Sequence, residues 1–82
     1  MAFEEFSMVR LREAYTGRDV YCGGEEHHLP AGTQGAIVDV LWDGEAFEVD
    51  FQISLPQFDG DELLDAGESM VVTLRRDQLL PA

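Results

Sequence analysis

The chain has 82 residues, 45% hydrophobic and 10% aromatic, with seventeen acids against five bases, every base an arginine, and a formal net charge of -12. A chain of this length is expected to form one domain over residues 1–82 and to bury only roughly 60–65% of its unfolded surface, leaving little room for an enclosed substrate cavity. The charge disfavours nucleic acid and anionic membranes, which are bound through Lys and Arg, and favours a basic protein or a cation.

In chain order, the opening Met-Ala-Phe-Glu-Glu-Phe has no basic region and no apolar run, so no secretory signal is expected. Phe6 to Arg12 alternates, Val9 and Leu11 against Met8, Arg10 and Arg12, and predicts a half-buried strand. Residues 13–32 carry Gly17, Gly23, Gly24, Pro30 and Gly32 and predict a long, polar, hairpin-like loop in which Val20 and Tyr21 pair briefly. Thr33 to Trp42 predicts a second strand, with Ala36, Val38 and Val40 on one face and Ile37, Asp39 and Leu41 on the other. Asp43-Gly44 predicts a two-residue hairpin turn, because glycine tolerates the positive φ such turns need.

Glu45 to Ile53 has the cleanest alternation: Phe47, Val49, Phe51 and Ile53 inward, Ala46, Glu48, Asp50 and Gln52 outward. Residues 54–68 predict a second polar loop, containing one helical turn capped by Asp61 and ended by Gly67. Ser69 to Arg75 predicts a strand, Arg76 to Leu79 a short 3₁₀ turn, and Leu80-Pro81 a closing strand. Together these predict an all-β fold, a small SH3-like barrel of about five strands with two long loops and a C-terminal 3₁₀ turn. The predicted core is Phe6, Val9, Leu11, Val38, Val40, Phe47, Val49, Phe51, Val72, Leu74 and Leu79.

Four blocks taken in order, Phe6 to Leu11, Leu29 to Val40, Ala46 to Phe51 and Val72 to Pro81, resemble the small bacterial SH3-like family called domain of unknown function 4926. The resemblance covers about half the chain and implies an SH3-like barrel with an antitoxin or immunity role beside toxin-like proteins. It brings no catalytic residues. The loops at 13–29 and 54–68 are longer than the family pattern. The glycine-turn-strand block also resembles KOW modules and the barrel of the nitrile hydratase β-subunit.

Candidate chemistry is sparse. Glu25-Glu26-His27-His28 has metal-ligand atoms in a row, but adjacent residues of an extended segment do not aim at one ion, so a solvated loop and no metal are expected. Cys22, the sole cysteine, forms no intrachain disulfide and implies a reducing, cytoplasmic setting. Paired with His27 or His28 it lacks an orienting third residue, and neighbouring carboxylates oppose thiolate formation. Asp59-Gly60-Asp61-Glu62 fails the calcium-loop template, whose twelfth position here is Met70. Glu48 and Asp50, joined by Asp39 and Glu45 of the neighbouring hairpin arm, repel one another on one strand face, which stability alone does not select. A plaque for a basic partner and simple solubility both account for them, and solubility is the favoured expectation. Trp42, Leu55, Phe58, Leu63 and Leu64 either anchor an interface or are buried by the 54–68 loop folding over a barrel end, and burial is the favoured expectation.

These readings predict a non-enzymatic, cofactor-free protein-binding module, antitoxin- or immunity-like, engaging a basic partner through Asp39, Glu48, Asp50, Phe58, Asp59, Asp61, Glu62 and Asp65. Two alternatives stand beside it. One is a KOW-like nucleic-acid-binding barrel, which needs Arg10, Arg12, Arg75 and Arg76 to converge. The other is an accessory or metal-delivery protein built on His27 and His28.

Overall fold

The structure, a computed structural model, describes residues 3–82. It contains nine strands and two 3₁₀ turns: β1 (Met8–Leu11), β2 (Tyr15–Asp19), β3 (Gly23–Leu29), β4 (Gln34–Leu41), a turn at Trp42–Gly44, β5 (Ala46–Ser54), β6 (Gln57–Asp59), β7 (Glu62–Asp65), β8 (Glu68–Arg75), a turn at Arg76–Gln78, and β9 (Leu79–Pro81). Five strands form one antiparallel sheet in the order β8-β5-β4-β1-β9, while β2-β3 and β6-β7 are separate hairpins. The meander β4-β5-β8 flanked by β1, with the terminal strand returning beside β1, is the SH3-like arrangement the alternation predicts. Among the described residues no helix is long and apolar enough to cross a membrane.

The core follows from the period-2 pattern. Val9, Leu11, Ile37, Phe47, Val49, Phe51, Met70, Val72, Leu74 and Leu79 converge inside, and Leu29 enters from the end of β3. Phe3 closes one end by packing edge-on to Phe47, ring centroids 5.6 Å apart. Each fully buried side chain of this size contributes about 1.5–3 kcal/mol relative to exposure, so a handful of strand positions hold the domain.

Three core assignments are corrected. Phe6 is 74% exposed: it adopts φ 67 in a turn ahead of β1, where its N–H donates to the Ile37 carbonyl. Phe3 takes the inward place. Val38 and Val40 give way to Ile37, which is fully buried. For Val38 the cause is a bulge in β4: Ile37 faces Val49 and Asp39 faces Glu48, so Val38 is the extra residue, while Val40 lies opposite Phe47 but remains 37% exposed. Strict alternation forces Ile37 and Asp39 to the same side, and the bulge frees Ile37 to go in while Asp39 stays out.

The turns differ too. Asp43-Gly44 is not a two-residue turn. Leu41 pairs with Ala46, so Trp42 to Glu45 form a four-residue loop, with Trp42 at φ 49, Asp43 at φ 54 and Gly44 at φ 91. The helical turn expected at Asp61 to Gly67 is replaced by hairpin β6-β7, with Phe58 paired to Leu63 and Asp59 to Glu62. Asp61 and Gly60 sit in its tight turn, so the capping signal marks a hairpin tip instead. The 13–32 connection is likewise a hairpin, β2 and β3, docked on the free edge of β8: the Val20 N–H donates to Val71 O at 2.8 Å.

Candidate functional site

Hairpin β6-β7 is the most unusual surface of the molecule. Every residue from 54 to 66 is exposed, including Leu55 at 69%, Phe58 at 62%, Leu63 at 53% and Leu64 at 62%. The expectation that this segment folds over a barrel end and buries its own apolar residues is therefore wrong. The register explains why the hairpin is amphipathic. Phe58 and Leu63 are direct partners and share one face, while Asp59 and Glu62, one position further, share the opposite face. Gly67 closes its base with φ 80, where a Cβ would lie 2.6 Å from the Ser54 carbonyl oxygen. The Asp65 carboxylate accepts the Gly67 N–H at 2.9 Å. Of the predicted contact residues, Phe58, Asp59, Asp61, Glu62 and Asp65 are thus brought together here, and Asp65 also shapes the turn.

Asp39, Glu48 and Asp50 form a second group on the sheet. Asp39 and Glu48 face each other across β4 and β5, and Asp50 lies two residues along from Glu48. They are not an open plaque. Glu48 and Asp50 are half-buried, and the Tyr21 hydroxyl reaches over from the β2-β3 turn to donate to the Glu48 carboxylate. That bond favours the neutral phenol and pushes the Tyr21 pKa up, with burial and the charges of Glu48, Asp39 and Asp19 adding to it. Asp39 is exposed and accepts the Val40 N–H at 2.9 Å. One carboxylate oxygen of Asp50, Oδ1, is buried without a hydrogen-bond partner, a costly arrangement that folding alone does not favour.

Asp19 is a key residue that sequence reasoning missed. One of its oxygens accepts the Tyr21 N–H at 2.7 Å and the Cys22 N–H at 2.9 Å, and the other accepts the Val71 N–H at 3.0 Å. The Val71 bond, followed by those from Cys22 and Tyr21, lowers its pKa. It therefore both shapes the β2-β3 turn and fastens it to β8. The available signal was Asp19 four residues before Gly23-Gly24, a side-chain-capped turn pattern.

The histidines are used separately. Thr16 pairs with His28 and Gly17 with His27, so the two rings lie on opposite faces of β3. His28 Nδ1 is 2.9 Å from the Thr16 hydroxyl, and His27 Nε2 is 3.7 Å from Glu68. Cys22 is exposed at the tip of the turn. Among the described residues no three His, Cys, Asp or Glu side chains are grouped so as to hold a metal ion.

Of the arginines needed for a nucleic-acid surface, Arg12, Arg75 and Arg76 converge on one open cleft, and Arg10 is tied through Nε to the Pro81 carbonyl at 3.3 Å. What these features define is a small all-β, SH3-like domain bearing a projecting amphipathic hairpin. No family model, curated protein or solved structure matches the chain.

Proposed function

We propose that this chain is a non-enzymatic protein-binding module, an antitoxin- or immunity-like partner of a basic protein, as the resemblance to domain of unknown function 4926 implies. The observation that carries the reading is hairpin β6-β7, whose apolar side chains lie in solvent beside Asp59, Asp61 and Glu62. Exposed apolar groups ringed by one sign of charge suit a contact in which Phe58 and Leu63 supply the desolvated centre and the carboxylates steer a basic partner into place. Asp39, at the acidic face of the sheet, adds to the same field.

The test is capture of partners from the native host with the tagged chain. A basic protein retained at low salt and released as salt rises is the expected result. The Phe58→Ser/Leu63→Ser variant is expected to weaken retention by about tenfold or more, since central apolar anchors carry more than about 1 kcal/mol each. Retention indifferent to both salt and this variant overturns the reading.

A further inference from the structure

The cleft that gathers Arg12, Arg75 and Arg76 is open, encloses about 760 Å³, and lies where β1 and β8 end and β5 begins. Trp42, the single tryptophan of the chain, stands at it 69% exposed, with Leu80 and Pro81 as apolar wall. Arg76 is fixed there: its Nε donates to the Gly44 carbonyl at 3.0 Å, and its guanidinium lies 5.8 Å from the Phe3 ring and 5.9 Å from the Phe47 ring. Among the described residues neither Arg12 nor Arg75 is engaged in an ion pair. Glu45 and Asp77 also line the cleft, so three guanidinium groups face two carboxylates, a local excess of positive charge in a chain of net charge -12.

Trp42 and Asp43 adopt left-handed φ, of 49 and 54, in the loop between β4 and β5, and the Trp42 indole stands in solvent. An exposed aromatic ring beside Arg12 and Arg75 suits a partner that covers the ring and pairs the charges. The cleft thus needs a ligand with an apolar surface and carboxylates. Hairpin β6-β7 has both: Phe58 and Leu63 share one face, and the Asp61 carboxylate stands in the turn at its tip. It lies at the far end of β5, a nine-residue strand that spans roughly 30 Å, so it cannot reach the cleft of its own molecule.

We infer that the cleft receives hairpin β6-β7 of a second copy of this chain, with Phe58 and Leu63 packed on Trp42 and the Asp61 carboxylate at the hairpin tip facing Arg12 and Arg75. The two surfaces are different, so the contact is heterologous and propagates head to tail. A nucleic acid fits the cleft less well, because Glu45 and Asp77 sit among its arginines and its excess charge is small. The inference rests on the reading of β6-β7 as a contact element; a basic partner and a second copy then compete for it.

The experiment uses the full chain, followed by sedimentation velocity and by emission of its single tryptophan. On concentration, the average mass is expected to rise and Trp42 emission to shift to the blue as the indole leaves water. Phe58→Ser/Leu63→Ser and Arg12→Glu/Arg75→Glu variants, each folded by circular dichroism, are each expected to remain monomeric. Mixed together they are expected to form a one-to-one dimer and nothing larger, because each retains one intact half of the contact. A wild-type chain that stays monomeric to about 0.5 mM, near the limit of useful affinity, overturns the proposal. So does a mixture that does not associate, or an RNA oligonucleotide that shifts Trp42 emission in a chain that does not self-associate. The partner reading survives those results if Phe58→Ser/Leu63→Ser still releases the basic partner.

Discussion

At the scale of single residues, Asp19 concentrates more structural consequence than any other carboxylate. Three backbone N–H groups converge on it, from Tyr21, Cys22 and Val71, and they favour the ionised form. Its pKa in the folded chain is below the ordinary 3.8. A lowered folded-state value means the stabilisation is complete above the unfolded value and disappears as pH falls through the folded one. Asp19→Ala is therefore expected to lower the melting temperature at pH 6, with the gap from wild type closing below about pH 3.8 in thermal melts followed across the acid range. Tyr21 works in the opposite direction. Its pKa lies above 10.0 because its hydroxyl is bonded to Glu48, so its contribution is complete below the unfolded value and is lost as pH rises through the folded one. Ultraviolet titration is expected to show one of the two tyrosines ionising late, and Glu48→Gln to bring it back towards 10.0. An unchanged titration in that variant excludes the bond as the cause. The local turn signal at Asp19 was legible, but its bond to Val71 and the Tyr21 bond to Glu48 join positions separated by 52 and 27 residues, and alternation carries no information about such pairs.

At the scale of elements, the centre of β5 was legible: Phe47, Val49 and Phe51 are fully buried as their alternation predicts, whereas Ala46, expected outward, is fully buried as well and the register shifts between Gln52 and Ser54. β4 was legible as a strand but not in its facing, since a bulge changes which residues point inward without changing composition. That difference is measurable. Ile37→Ala is expected to cost about 2–5 kcal/mol, as truncation in a packed core does, and clearly more than Val38→Ala at the half-buried extra residue of the bulge. Equal effects in chemical denaturation contradict the bulge. Gly35 belongs to the same strand and is buried; a Cβ there meets Phe51 and Val49 side-chain carbons at 2.8 Å. Gly35→Ala is expected to cost about 1–3 kcal/mol by overpacking, although its backbone φ permits alanine. The two hairpins at residues 15–29 and 57–65 read as loops because their polar and glycine-rich strands bury little. β6 and β7 bury so little that their pairing is held by register and turn geometry alone, which is why a capping pattern at Asp61 suggested a helix instead.

At the scale of the whole molecule, the charge sets two opposing salt responses. A net charge of -12 on 82 residues makes the folded chain repel itself. Little specific pairing offsets this: among the described residues Arg18 pairs with Glu26 at 4.0 Å, a separation and exposure where such pairs contribute about 0–1 kcal/mol, and the His27 ring, 3.7 Å from Glu68, forms an ion pair only when protonated. Screening therefore relieves more repulsion than it removes attraction. Raising salt from about 0.02 M to about 0.3 M, which shortens the screening length severalfold, is expected to raise the melting temperature. Binding of the proposed basic partner to the acidic hairpin is expected to weaken over the same range, because such a contact would gain from the field that folding suffers from. Calorimetry and affinity measured on one salt series distinguish the two effects. A melting temperature that falls with salt means that the arginines clustered at one end hold the fold together by attraction, and that the cleft they line is structural.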